Sequence, residues 1–412
     1  MSLLDKSSLI VTPNAYKASK LYSVIPTSGA GDMTVVRATT ATRKNSAGFI
    51  ESVAVSVPRI DYTNGSCPSL LVEPQRTNIQ LNSEDFSQSS WTKTLSAVVA
   101  NQINSPSGIL TADKLNETAT TGNHQLESSR NVTAGAYSMS VFAKKAEREW
   151  LYLFEDTTGK GAYFNLNNGT IGTIAAGATA KIENFGNGWY RCSVTYSEIA
   201  VFGRYRIAVT TGNGVTSYTG VANNGIYIWG AQYELGAYST SYIPTVASSV
   251  SRNAEVISKT GISSLIGQTE GTLFLDFYFK TPQSNVGGQI ALKDNTGNNR
   301  VIIWNNFSLN TLGVQLKANA SNIINNTSLG TFVNNQRYKI AIAYKSGDCA
   351  VYLNGSLAFQ NTTSFTFSSP MTDLVIGAYE LSFLQEGHQL NNSTQLYKTR
   401  LTNTELAQLT TL

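Results

Sequence analysis

Aromatic rings bordered by amides and guanidinium groups are the side chains of this sequence best suited to chemistry, and that chemistry is recognition. Trp150, Tyr152 and Phe154 alternate with Leu151 and Leu153, so the three rings share one face of a strand. Arg204-Tyr205-Arg206 sets a ring between two cations, and Trp304-Asn305-Asn306 sets a ring beside two amides at a strand end. Sugar rings carry apolar faces that stack on Trp and Tyr, and hydroxyls that pair with amides and guanidinium groups. The candidate carbohydrate contacts are therefore Trp304, Asn305, Asn306, Trp150, Tyr152, Arg204 and Tyr205. Trp189, Tyr190, Trp229 and Tyr242 stand in strand or corner contexts that fit a core.

Signals for turnover are weaker. Glycoside hydrolysis takes two carboxylates roughly 5–10 Å apart. Glu84-Asp85, Glu147/Glu149 and Glu155-Asp156 are the acidic clusters. Lys144, Lys145 and Arg148 flank Glu147 and Glu149, which reads as a solvated, charge-balanced turn. Glu155-Asp156-Thr-Thr-Gly is a strand-to-turn corner, where Asp serves the turn. The two histidines, His124 and His388, lie in polar stretches expected to be solvated loops. No GxSxG elbow, HExxH helix, cysteine pair, phosphate-binding glycine loop or DxDxDG loop occurs. Asp294-Asn-Thr-Gly-Asn-Asn299 offers oxygen ligands for weak calcium binding, though a plain loop is the favoured reading. The expectation is a chain that is not an enzyme and holds no cofactor.

The elements that position these residues are strands. Hydrophobic residues (41%) suffice for ordinary cores, while charged residues (14%) fall well below the typical ~25%, Ser, Thr, Asn and Gly taking their place. The net charge of +4 is spread thinly, with its densest runs at Lys144-Lys145 and Arg204 to Arg206, which excludes a phosphate-neutralising stripe and hence a nucleic-acid partner. Cys67, Cys192 and Cys349 are far apart and odd in number, so no disulfide framework is expected, and Cys192 and Cys349 read as buried thiols. No secretory leader and no membrane-spanning apolar run is expected.

Periodicity of two recurs in Tyr137–Ala143, Trp150–Phe154, Trp189–Thr195, Gly225–Trp229, Thr272–Phe279, Arg300–Trp304, Tyr338–Tyr344 and Ala350–Leu353. Asn-Gly turns at 168–169, 187–188, 213–214, 224–225 and 354–355 separate such runs. No repeat of 20–50 residues appears. The reading is all-β: two tandem antiparallel β-sandwich (jelly-roll) domains, at 81–250 and 251–412, after an extended N-terminal arm at 1–80 with few strand signals. One short C-terminal helix, Asn403–Leu409, is expected with Asn403 as its cap.

Three stretches are more specific. They are Val35-Val-Arg-Ala-Thr-Thr-Ala-Thr-Arg43 with Val57-Pro-Arg59; Leu70-Leu-Val-Glu-Pro-Gln-Arg-Thr-Asn78 with Asn82-Ser-Glu-Asp-Phe86 and Ser90-Trp-Thr-Lys93; and Trp229-Gly-Ala-Gln-Tyr-Glu234 with Ser241-Tyr-Ile-Pro-Thr245. Together, over about residues 30–250, they resemble a group of bacteriophage head-spike, head-fibre and tail-associated structural proteins, in which this order forms a connector into a β-sandwich module. The last block resembles concanavalin A-like or laminin-G-like jelly rolls. The residues that carry this are Gly271-Thr-Leu-Phe274, Arg337–Tyr344, Val351-Tyr-Leu-Asn-Gly355, Leu374-Val-Ile-Gly377 and Leu396–Leu406. Glucanases of that group carry an E-x-D-x-E strand that is absent here.

The resemblance implies a fibre or spike subunit on a virion surface, made in the host cytoplasm. Its N-terminal arm would dock on other virion proteins and its sandwiches would engage glycans. Homo-oligomers, with a trimer as first guess, and no membrane insertion complete the expectation. The alternatives are a glycan-degrading depolymerase on the same frame, a structural decoration without ligand, and a cellular adhesin.

Overall fold

The computed structural model describes residues 2–198, 202–280, 287–306, 311–326, 328–378 and 388–412. The architecture is all-β, and the two helices among the described residues are Leu3–Lys6 and Asn403–Thr410. The chain divides into two compact units. One comprises Met1–Ser46, Ser52–Gln75 and Asn253–Leu412; the other comprises Ala47–Glu51 and Arg76–Arg252.

The first unit is built on one 16-stranded antiparallel sheet. At one end run Ser321–Asn326, Thr311–Ala318, Arg300–Asn306, Gly287–Lys293 and Asp373–Ile376; at the other run Gln389–Tyr397, Glu270–Phe279, Arg337–Lys345, Cys349–Leu353 and Ser356–Asn361. Leu292, Val301 and Val314 from one end share a core with Leu275, Ile340 and Ile342 from the other, so the sheet curls over on itself into two layers. The strands that carry the sheet round the bend are Val256–Lys259, Met33–Val36, Lys20–Ile25 and Ser7–Lys17.

The expected extended arm at 1–80 is therefore corrected. Ile10 and Val11 pair with Gln395 and Thr394, and Leu9, Val11, Leu21, Met33 and Val35 belong to the core. The strand signal is masked in sequence because Ser7–Lys17 carries irregular register and Pro13, which break the alternation. The short C-terminal helix is present, but Thr402 caps it: the Thr402 hydroxyl accepts from the Glu405 amide while Glu405 reaches back to the cap. Leu406 then buries against Phe274, Ala341, Ala343 and Tyr352, where the alanines leave room for the helix.

Residues of the Val35–Arg43, Val57–Arg59 and Leu70–Asn78 stretches form a buried ionic cluster with Glu255 in this unit. Arg59 pairs with Glu73 at 2.7 Å and with Glu255 at 2.6 Å, and Arg37 pairs with Glu255 at 3.1 Å. The remaining guanidinium protons of Arg37 go to the carbonyls of Thr39, Val57, Val53 and Ala54. Burial works to lower the Arg59 pKa, but Glu255 and Glu73 outweigh it and hold the cation charged. These residues are structural: ion pairs removed from water persist when each charge is paired and most of its polar atoms are hydrogen-bonded, as here for all but the Arg59 Nε.

The second unit is a sandwich of two six-stranded sheets. One runs Ser96–Asn104, Leu110–Glu117, Gly225–Leu235, Gly135–Lys145, Trp189–Glu198, Ala178–Gly186. The other runs Thr170–Ile174, Lys160–Asn165, Trp150–Glu155, Phe202–Thr210, His124–Asn131, Thr92–Thr94. Leu151, Leu153, Ile207 and Leu126 of the second sheet meet Met139, Val141, Val194 and Ile228 of the first. Asn78 fills all its hydrogen-bonding capacity inside, donating to the Ala231 and Ile243 carbonyls and accepting from the Gln80 and Tyr233 amides. Gln232 donates to Glu234, which also accepts from the amide and hydroxyl of Thr240. Asn78, Gln232 and Glu234 of these motifs thus help lock the sandwich.

Candidate functional site

Because strand side chains alternate, the leucines of Trp150–Glu155 that enter the core force Trp150, Tyr152 and Phe154 onto the outer face of the second sheet. Register then chooses their neighbours. Tyr152 lies opposite Tyr163 on one side and Ala208 on the other, and Phe154 lies opposite Gly161 and Arg206. Ala208 and Arg206 in turn face Gln125 and Glu127.

Three rings form a parallel stack. Tyr152 is 4.2 Å from Phe154 with planes 10° apart, and 4.1 Å from Tyr163 with planes 9° apart. Both faces of Tyr152 are thus covered, and this half-buried ring meets solvent through its edge and hydroxyl. Phe154 and Tyr163 are buried. The Arg206 guanidinium lies 5.6 Å from the Phe154 centroid, over its ring. Trp150, half-buried one pair further along, stands at Gly172; a Cβ there would come within 2.9 Å of the indole and 2.3 Å of the Asn213 side chain. Gly172 is thus what lets Trp150 and Asn213 meet at the rim.

Charge on this face is paired. Arg206 holds Glu127 at 2.5 Å and Asp156 at 2.6 Å, and Arg204 lies 3.5 Å from the same Asp156. Burial raises the Tyr152 phenol, helped by Asp156; burial and Tyr152 push Tyr163 up to about 12. Both hydroxyls are therefore protonated donors through the neutral range. Gln125 is 5% exposed, and its carboxamide oxygen has no hydrogen-bond partner. The face thus combines an aromatic ridge, phenol and amide groups, and internally neutralised charge, which suits the binding of a polyhydroxylated ligand.

The structure brings Trp150, Tyr152 and Arg204 onto this one face. Tyr205 is corrected: it points the other way, is fully buried, and donates from its hydroxyl to the Ser140 carbonyl at 2.7 Å. Alternation with outward Arg204 and Arg206 decides this. The Trp304 group is also divided. Trp304 is half-buried on the outer face of its sheet, opposite Gly313, where a Cβ would lie 2.5 Å from the indole. Asn305 points inward and is 1% exposed, so it cannot share a platform with Trp304. The Asn306 side chain lies outside the described residues. Beside Trp304 the outer face carries Arg300, bonded to Gln315 at 2.7 Å, and Gln315, bonded to Asn322 at 3.0 Å.

Both histidines are corrected too. His124 opens a strand and is fully buried, with Nδ1 2.7 Å from the Leu95 carbonyl, and His388 is buried with Nε2 3.5 Å from Glu73. At the Asp294 turn both carboxylate oxygens are occupied by loop donors: the amides of Thr296 and Gly297, and the side chains of Thr296, Asn299 and Ser369. Among the described residues no group of three or more His, Cys, Asp or Glu side chains is placed to hold a metal. No helix among them is long and apolar enough to cross a membrane. Cys192 and Cys349 are buried free thiols, as expected, and Cys67 is exposed. Sequence reasoning missed Tyr163, Glu127 and Gln125, whose relevance is created by cross-strand register, while Arg206 is visible in the Arg204–Arg206 run but is not among the expected contacts.

No family model matches the chain, and no curated protein matches it. Among solved structures it is similar to carbohydrate-binding β-sandwich domains at low identity. The CBM40 domain of the Ruminococcus gnavus IT-sialidase is 11% identical, covers 37% of this chain and 91% of its own, and gives a TM-score of 0.30. Domain 4 of AbnA, a GH43 extracellular arabinanase from Geobacillus stearothermophilus, solved with arabinotriose, is 13% identical over 42% of this chain and 81% of its own, at a TM-score of 0.31. A SAP-like pentraxin from Limulus polyphemus is 18% identical over 34% of this chain and 68% of its own, at 0.28.

Proposed function

We propose that the chain is a non-catalytic adhesion protein of a bacteriophage particle that binds glycans on the outer face carrying Trp150, Tyr152 and Arg204. The observation that carries glycan binding is the Phe154–Tyr152–Tyr163 stack, with Trp150 two residues before Tyr152 on the same strand face, bordered by phenol, amide and paired charged groups. A rigid aromatic ridge contacts a sugar without ordering cost, since its rotamers are already set by stacking. The phage assignment rests on the ordered motifs between Val35 and Thr245. Many copies on one particle, as homo-oligomers, raise weak single-site affinity through avidity.

A second reading, glycan cleavage, draws on the two carboxylates Glu127 and Asp156 beside the ridge. Both are engaged by Arg206, which favours binding over catalysis. A glycan array probed with the full chain, with Trp150→Ala, Tyr152→Ala and Trp304→Ala alongside, tests the proposal. Loss of about tenfold in affinity, ~1.4 kcal/mol, in the first two variants and no released sugar is expected. Folded protein that binds no glycan, or binding that all three variants retain, overturns the glycan reading; released sugar overturns the non-catalytic one.

A further inference from the structure

We infer that the ligand of this face is a neutral glycan, and that Glu127 and Asp156 are the residues that exclude acidic ones; this rests on the glycan-binding reading above. An acidic sugar needs a cation that its carboxylate or sulfate can claim. Among the described residues, the outward cations of these strands are Arg204 and Arg206 and the anions paired with them are Glu127 and Asp156, so these four charges sum to zero. Arg206 is held from two sides, with both Nε and Nη2 on Glu127 and Nη1 on Asp156, and it lies over Phe154. Arg204 is the more exposed cation, yet the nearest charge to it is Asp156. An anion approaching Arg204 therefore meets a carboxylate already there, and the like charges repel.

Neutral hydroxyls face no such obstacle. They can donate to remaining lone pairs of the partly exposed Asp156 and Glu127 carboxylates and accept from the Tyr152 phenol, which burial and Asp156 keep protonated. Half-exposed Asn165, paired opposite Trp150, and exposed Asn213 add amides at the Trp150 end. The two carboxylates thus act twice, as acceptors for sugar hydroxyls and as a charge barrier.

The test uses the full chain and pairs of oligosaccharides of equal length and linkage, one built of neutral hexoses and the other of the matching uronates. Titration at about 20 mM and about 300 mM salt is expected to give binding of the neutral member with affinity changed less than twofold by salt, and at least tenfold weaker binding of the uronate. The double variant Glu127→Gln/Asp156→Asn is expected to bind the uronate at least tenfold better than the parent does, with a salt dependence the parent lacks. Uronate binding by the parent that equals or exceeds neutral binding and disappears in Trp150→Ala overturns this inference and leaves the glycan reading standing. Failure of both members to bind, with no effect of Trp150→Ala, overturns both.

Discussion

Replacing Arg59 by Met tests the claim that the Arg37, Arg59, Glu73 and Glu255 cluster is a structural clamp. The change keeps an unbranched chain of similar reach but removes two ion pairs, at 2.7 and 2.6 Å, and a bond to the Thr42 carbonyl. Breaking a buried pair from one side typically costs 3–5 kcal/mol, because the partner charge is left uncompensated. Glu255 keeps Arg37 at 3.1 Å and accepts from the Glu73 amide at 3.0 Å, so the lower end, about 3 kcal/mol, is expected. For a unit of roughly 150–250 residues each kcal/mol lowers Tm by ~2–4 °C. The transition of the unit containing Arg59 should therefore fall by about 6–12 °C in calorimetry, with the transition of the 76–252 unit in place. Adding Glu73→Gln to Arg59→Met should recover part of the loss, because it removes the stranded charge. A fall below ~2 °C, or no recovery in the double variant, would refute the claim that these charges hold the fold through mutual pairing.

Two further outcomes follow from the corrected residues. Tyr205→Phe leaves the buried Ser140 carbonyl without its 2.7 Å partner and should lower stability by about 1–2 kcal/mol in denaturant titration, with glycan affinity unchanged within twofold; a selective loss of affinity would return Tyr205 to the site. At the Asp294 turn, burial works to raise the carboxyl, but hydrogen bonds from Ser369, Thr296 and Asn299 hold it down at about 2. A depressed carboxyl stabilises above its unfolded value of 3.8 and loses that contribution as pH falls from there toward 2. Thermal melts from pH 5 to pH 2 should therefore drop less steeply for Asp294→Asn than for the parent, and equal slopes would refute the assignment.

Local pattern was enough to determine the fold class, most strands and the shared face of Trp150, Tyr152 and Phe154, because alternation against Leu151 and Leu153 is a property of one strand; that the leucine face is the one entering the core was decided by the sandwich. The capped C-terminal helix was likewise legible from local pattern, with only the identity of the cap displaced by one residue. Arg204 and Tyr205 were equally visible as a pair, but which of them faces out depends on which residues of Phe202–Thr210 enter the core. The place of the first 75 residues was decided by pairing over more than 350 positions, such as Ile10 with Gln395, and no local run encodes that register. Tyr163, Glu127 and Gln125 entered the site for the same physical reason: each is ordinary within its own strand and gains its role from the residue placed opposite. Spacing along the chain sets which face a side chain takes, whereas only the assembled sheet sets what it meets there.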